Sequence, residues 1–179
     1  GKWCLLNINS NKLKDIDYEI LPYHWSELDK VEKDSYYIFD IYKKTIPILS
    51  SYLNTIHNKK YSNRCWEVLV GPWLYFFIDY LFEKYSLIKY ACEKYNGLET
   101  EINDNIFVPY SFADFSSLIG KDDFNFYIFN RIIKLLNLPI KQIKANNSKK
   151  IIILNNHKKK KIKRLRLIKN LIRKFIINF

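Results

Sequence analysis

Apolar residues recur every three or four positions along most of this chain, a pattern typical of helices that bury at least one face. The predicted helices span residues 26–56, 62–95, 112–119 and 122–136. Ser26 and Ser111 stand at the starts of two of them, where a hydroxyl can accept a hydrogen bond from the first helical turn. The pattern therefore predicts a helix-rich protein.

Three short apolar segments are predicted as strands. They are Trp3–Ile8, a segment within residues 98–108 that ends at Phe107–Val108, and Ile151–Leu154. Pro22 restricts the backbone of the residue before it, so residues 21–25 are expected to form an extended turn that leads into the first helix.

The pair Gly71-Pro72 interrupts the second helical pattern, between Trp66 and Trp73. Proline removes one helical hydrogen bond and favours a kink, whereas glycine permits another backbone or side chain to come close. Two interpretations remain open: a kinked core helix with two aromatic anchors, or a kink that shapes the wall of a pocket. Pro47 raises the same question in the first helix, where it either kinks or divides the element.

Positive charge is concentrated at the C-terminal end of the chain. Of a net charge of +12, residues 141–179 contribute 14 Lys and Arg side chains, and no acidic residue follows Asp123. From Lys158 onward, Ile, Leu and Phe recur at helical spacing with basic residues on the other face. Such a segment could lie on an anionic membrane, connect to a further part of a longer chain, or bind nucleic acid. Nucleic acid is disfavoured, because the interleaved residues are aliphatic and cannot stack on bases.

Several functional classes find no support in the sequence. There is no glycine-rich phosphate loop, no paired-carboxylate motif and no apolar run of about 20 residues. The three cysteines form no CxxC pair, so we expect reduced thiols, a cytoplasmic protein and no metal site. The chain begins with Gly and contains no Met, so we expect it to be a piece of a longer protein.

His24 is the candidate catalytic residue, because it precedes the first helix within Pro22-Tyr23-His24-Trp25. A histidine in such a loop can donate or accept a proton near neutral pH. The competing interpretation is a histidine that caps a helix or packs beside aromatic rings.

His57, Ser62 and Arg64 flank the turn between the two longest helices and form a second candidate site. Backbone N–H groups at a helix N-terminus favour anions, and an arginine side chain can bind phosphate or carboxylate with two hydrogen bonds. The alternative is an ordinary N-cap with a surface ion pair.

These motifs occur in an order that resembles a known protein family. The series comprises WCL at residues 3–5, PYHW at 22–25, LNxxH followed by YSxRxW at 53–66, GPWL at 71–74, and DFN at 123–125. It is similar to a bacterial transferase family encoded with genes for O-antigen and surface-polysaccharide biosynthesis. The chain departs from the family pattern at Lys2, at Ser26–Leu28, at Cys65 and at Phe124.

The resemblance implies a Rossmann-like α/β fold, the N-terminal lobe of a two-lobed GT-B-like glycosyltransferase truncated at both ends. Residues 1–140 would form the lobe on the acceptor side, and residues 141–179 a basic linker with an amphipathic helix. A strand would precede Gly1, and a second lobe with most of the nucleotide-sugar contacts would follow Phe179. This piece of the chain would then be inactive alone.

The resemblance also implies roles for individual residues. His24 would be catalytic, and Trp25, His57, Ser62, Arg64, Trp66 and Trp73 would bind substrate. The donor would be a nucleotide sugar and the acceptor a glycan or a lipid-linked sugar, reached from the cytoplasmic side of the inner membrane. No cofactor is expected within these residues. The rival hypothesis is a non-enzymatic binding module whose basic tail docks on an anionic membrane or on nucleic acid.

Overall fold

A computed structural model describes residues 18–102 and 106–144. In chain order its elements are α1 Leu28–His57, α2 Asn63–Lys94, β1 Glu99–Glu101, α3 Phe112–Ile119, α4 Asp122–Leu136 and β2 Lys141–Ile143. More than two thirds of the described residues are helical, which confirms the prediction of a helix-rich chain.

The first two helices, α1 and α2, lie side by side as an antiparallel hairpin. Asn58 ends α1 in the left-handed conformation, with φ of 51°, and so reverses the chain. Ser62 caps α2, as the alternative interpretation of the second candidate site expects, because its Oγ accepts a hydrogen bond from Cys65 N at 3.2 Å.

Two further N-cap assignments can be compared with the structure. The Ser111 cap is confirmed by a 3.1 Å hydrogen bond from Asp114 N to its Oγ. The Ser26 assignment is wrong by one residue, because Glu27 occupies the cap position without a capping hydrogen bond from its side chain. The backbone N–H of Ser26 donates instead to Tyr23 O at 3.3 Å, which places Ser26 in the preceding turn.

Helix α2 is buried on two faces, each of which forms a core with other elements. Towards α1 the core consists of Ile38, Ile41, Tyr42, Ile46, Leu74, Ile78 and Phe82. Towards α3 and α4 it consists of Tyr80, Leu81, Ile88, Phe115, Phe124, Ile128, Ile132 and Ile133. A helix with two buried faces has to be apolar over most of its circumference, which explains the composition of α2.

The Gly71-Pro72 pair lies inside α2, which continues through it. A Cβ atom on Gly71 would stand 2.5 Å from the hydroxyl oxygen of Tyr42 on α1. Gly71 is buried in the contact between the two helices, whereas Pro72 is exposed. The glycine therefore permits the close approach of α1. Pro47 likewise lies inside α1 and does not divide it.

We expect Gly71→Ala to lower the free energy of unfolding by about 1–2 kcal/mol, because the added methyl group overpacks the contact with Tyr42. In a Tyr42→Phe background the nearest atoms become Glu67 Cγ at 3.4 Å and the ring carbon Cζ at 3.6 Å, both ordinary contacts. There the same substitution should stabilise the protein by up to about 1 kcal/mol, because alanine favours a helix more than glycine does. Urea denaturation of the four proteins measures this change of sign, and equal effects in both backgrounds would contradict it.

The short strands β1 and β2 pair in parallel, with Thr100 opposite Gln142. The predicted strand within residues 98–108 therefore exists, but it ends at Glu101, and Phe107–Val108 is not in a strand. Strand β2 was not predicted. Strand β2 begins directly after residue 140, where the sequence predicts the boundary between the lobe and the basic linker. The division of the chain at this boundary stays a prediction.

The predicted strands at Trp3–Ile8 and Ile151–Leu154 lie outside the described residues, as does the basic segment that begins at Lys158.

Candidate functional site

His24 lies in the turn that leads into α1, and a carboxylate on that helix binds its ring. The distance between His24 Nε2 and Asp34 Oδ2 is 2.8 Å. Both side chains are largely shielded from water, with 11% and 15% of their surfaces exposed. His24 therefore has the partner that a catalytic histidine commonly uses to orient its ring.

Trp25 makes a second contact with the same carboxylate oxygen. Its indole Nε1 donates a hydrogen bond to Asp34 Oδ2 at 3.0 Å. The indole also stacks on Phe82 of α2, with ring centroids 6.2 Å apart and an interplanar angle of 15°. His24 meets Phe82 edge-on at 5.5 Å. Phe82 is itself part of the core between α1 and α2, so the hairpin core supports the turn.

His24 and Asp34 line a cavity of about 570 Å³ between the N-terminal end of α1 and the C-terminal half of α2. The other lining residues are Pro22, Tyr23, Ser26, Glu27, Lys30, Tyr37, Phe82, Tyr85, Ser86, Leu87, Lys89, Tyr90 and Glu93. Aromatic rings thus alternate with acidic and basic groups around the histidine. Such a lining offers flat surfaces for stacking, together with donors and acceptors for a polar ligand.

The second candidate site surrounds the turn between α1 and α2. Asn54 Oδ1 accepts hydrogen bonds from Trp66 Nε1 at 2.8 Å and from Tyr61 N at 2.9 Å. The ring of Trp66 contacts those of His57 and Tyr61, at 5.8 and 5.5 Å between centroids. These contacts hold the turn together, and the side chain of Trp66 is buried by them.

Arg64 is exposed, with 79% of its side chain open to solvent. Its guanidinium pairs with Glu67 at 3.0 Å, and Ser62 caps the helix. The contacts present here are therefore those of the alternative interpretation, an N-cap with a surface ion pair. Anion binding by Arg64 stays a prediction.

The two candidate sites lie at opposite ends of the hairpin. Helix α1 contains 30 residues, which gives it a length of about 45 Å. His24 precedes its first turn, whereas His57, Ser62, Arg64 and Trp66 surround its last. A small ligand that contacts His24 cannot also contact Arg64.

Trp73 belongs to the core rather than to the cavity. It packs against both hydrophobic cores of α2 and stacks on Phe77, with centroids 5.2 Å apart and an angle of 10°. Neither Trp73 nor Trp25 lines the cavity around His24. Their predicted role in binding substrate stays untested, and the contacts described here are structural.

Asp34, the hydrogen-bond partner of His24, was not among the residues predicted for the site. Asp34 lies four residues before Ile38 and eight before Tyr42, on the stripe of α1 that faces the core. An acidic residue on a buried stripe needs a partner, and this was the available signal. The pairing with a histidine ten residues earlier could not be deduced from helical spacing, because the intervening turn is not helical.

A second group of charged residues was also missed, on the neighbouring turns of α2. Lys84 is buried, pairs with Glu83 Oε2 at 3.0 Å and lies over the rings of Tyr80 and Phe129. Burial, and then the nearby Glu83 carboxylate, raise the pKa of Asp79.

Neither a metal site nor a membrane location is established by the described residues. Among residues 18–102 and 106–144, no group of three or more His, Cys, Asp or Glu side chains could hold a metal ion. By length and composition alone α2 could cross a membrane. Core helices of soluble proteins meet the same criteria of length and composition. Two faces of α2 pack against other helices of this chain.

The chain matches one family over its full length. No curated protein and no solved structure matches it. A family model described as LIC12162 family transferase matches residues 1–179, which include both candidate sites and the basic C-terminal segment. This match confirms that the family which the motifs resemble is a family of transferases. The chain belongs to the LIC12162 family of transferases.

Proposed function

We propose that this chain is part of a glycosyltransferase-like enzyme of O-antigen or surface-polysaccharide biosynthesis. The donor is a nucleotide sugar, and the acceptor is a glycan or a lipid-linked sugar. Family membership supports transfer of a group, and the ordered motifs from WCL to DFN support a sugar as that group. The enzyme works in the cytoplasm, in peripheral contact with the inner membrane through its basic segment.

The placement of His24 carries this proposal. The histidine lies at a cavity of about 570 Å³, within the range of about 300–1,000 Å³ that small-molecule sites occupy. A carboxylate holds its ring, and the surrounding tyrosines and charged side chains suit a ligand with many hydroxyl groups. Proton transfer from an acceptor hydroxyl is a step that a histidine in this setting can assist.

We propose that these residues belong to a Rossmann-like lobe of the GT-B type, and the parallel pairing of β1 with β2 supports this. Strands β1 and β2 are parallel, and the connection between them contains α3 and α4. Parallel strands require a crossover of this kind, and α/β folds are built from such units. The cavity lies on the side of α1 and α2 and would receive the acceptor.

The proposal is tested with the full-length protein, a panel of nucleotide sugars, free nucleotides and a short DNA duplex. We expect one nucleotide sugar to raise the melting temperature, because a ligand of the folded state stabilises it by mass action. Stabilisation by DNA that weakens steeply with salt, without any effect of a sugar nucleotide, would support the binding module instead.

With the donor identified, His24→Gln should reduce the rate of sugar transfer by about a hundredfold, the usual contribution of a general base. Asp40→Asn is the matched control on α1, because Asp40 is exposed and pairs only with Lys44 among the described residues. Full activity of the His24 variant, with the control unchanged, would remove His24 from the mechanism. Arg64→Ala tests the second site separately: unchanged transfer would exclude Arg64 from substrate binding.

A further inference from the structure

We propose that Asp34 is the positioning residue of His24, that it holds the hydrogen on Nε2, and that Nδ1 is the atom that receives the proton of the acceptor. This inference rests on the proposed function and adds a residue and an atom that neither the motifs nor the family match identify. The observations that carry it are the two hydrogen bonds made by Asp34 Oδ2, one with His24 and one with Trp25.

The hydrogen bond between His24 and Asp34 runs from the imidazole to the carboxylate. An ionised carboxylate can accept hydrogen bonds but cannot donate them. At 2.8 Å the bond is well formed, so the hydrogen lies on Nε2 of the imidazole. A neutral imidazole carries one hydrogen, and Nδ1 is then left with a free lone pair.

Trp25 is the second partner of Asp34, and its indole nitrogen can only donate. It donates to the same Oδ2 at 3.0 Å, so that this oxygen accepts two hydrogen bonds at once. Both contacts therefore use Asp34 Oδ2 as an acceptor. Trp25 thereby acts through Asp34 and supports the tautomer of His24 without touching the ligand.

The imidazole ring of His24 is held in one orientation by its neighbours. His24 is held at Nε2 by Asp34, packed edge-on against Phe82 and in contact with Trp25 at 5.6 Å between centroids. Within residues 18–102 and 106–144 the structure gives Nδ1 no hydrogen-bond partner. A ring fixed from three sides with one unoccupied nitrogen is pre-organised for proton transfer at that nitrogen.

The acceptor O–H bond breaks, its proton goes to Nδ1 of His24, and the oxygen forms a bond to the anomeric carbon of the donor sugar. The bond from that carbon to the phosphate oxygen breaks, and its electron pair leaves with the nucleotide. The imidazolium formed on His24 is stabilised by the Asp34 carboxylate, which is not itself protonated.

Nitrogen-15 NMR of the full chain tests the tautomer directly, since the sequence contains only three histidines. At a pH where the histidine signals no longer move, His24 should show a pyridine-type Nδ1 and a single Nε2–H signal protected from exchange with water. In Asp34→Ala that proton should be lost to exchange, and both nitrogens should shift towards the mixed tautomer of free imidazole. Asp40→Ala, on the same helix, should leave the His24 signals unchanged.

Two results would overturn the inference: a wild-type His24 with its hydrogen on Nδ1, or His24 signals that Asp34→Ala leaves in place. The wild-type spectrum decides the first point even if that variant does not fold. In transfer assays Asp34→Asn should lower kcat by about tenfold or more with KM little changed, because the residue orients the base rather than the ligand. Full activity of Asp34→Asn beside an inactive His24→Gln would refute only this inference, whereas an active His24→Gln would refute the role of His24 in the proposed function.

Discussion

Phe115→Ala is expected to lower the free energy of unfolding by about 3–5 kcal/mol, the usual cost of removing a buried aromatic ring. Only 1% of the Phe115 surface is exposed, and four rings surround it edge-on at centroid distances of 5.6–6.0 Å. Those rings are Phe76, Phe77, Tyr80 and Phe124. The cavity left by the substitution cannot collapse easily, because neighbouring helices hold these rings.

The substitution should also detach α3 from its packing against α2 and α4. Helix α3 has eight residues, too few to be stable by itself, and Phe115 is its one fully buried side chain. Phe112→Ala is the matched control on the same helix, because half of the Phe112 surface is exposed and its ring meets that of Phe76 edge-on, compared with four such contacts for Phe115. We expect a change below about 1 kcal/mol for the control. Urea denaturation measures both, and similar costs for the two substitutions would show that α3 is not anchored through Phe115.

The helices could be predicted from the sequence because their signals are local. The periodicity of residues 112–119 and 122–136 and the serine cap at Ser111 agree with the observed bounds. Helical spacing places side chains on one face within a few residues, so a short window contains the information. The role of Gly71 at the contact with α1 was partly predictable, because glycine permits close approach, but its partner Tyr42 was not.

The sheet could not be predicted in the same way. Strands β1 and β2 have three residues each and pair across about 40 positions of the sequence, so neither shows a pattern of its own. Their apolar neighbours Phe107–Val108 looked more like a strand, but Phe107 packs its ring against Phe124 of α4 instead. Tertiary packing outweighed the local preference there.

The candidate site was only half predictable for the same reason. His24 could be singled out from its loop and its motif, but Asp34 and Phe82 come to it from two different helices. Phe82 joins the site to the hairpin core, since it packs with Ile38 and Ile78 and also contacts the rings of His24 and Trp25. The geometry around His24 therefore depends on the packing of α1 on α2, which no local motif describes.

Asn125→Ala is expected to lower the free energy of unfolding by about 3 kcal/mol, because it leaves several buried polar groups without partners. The Asn125 side chain is buried on α4 and makes three hydrogen bonds. Its Oδ1 accepts from Tyr80 Oη at 2.8 Å, and its Nδ2 donates to the carbonyls of Ile119 at 2.8 Å and Lys121 at 3.0 Å. One amide thus ties α2, the end of α3 and the start of α4 together.

A double-mutant cycle with Tyr80→Phe separates the contributions. Burial, and then the Glu83 carboxylate, raise the pKa of Tyr80, so the phenol stays protonated and needs an acceptor for its hydrogen. The double substitution should cost less than the sum of the two single substitutions. It removes the Tyr80 hydroxyl together with its acceptor on Asn125, so neither of these two groups is left buried without the other. Asn63→Ala, at the exposed start of α2, is the control and should change stability by less than about 0.5 kcal/mol. Strictly additive costs in the cycle would mean that water replaces the lost partner, and that the geometry of the α3–α4 turn depends on the two carbonyl contacts alone.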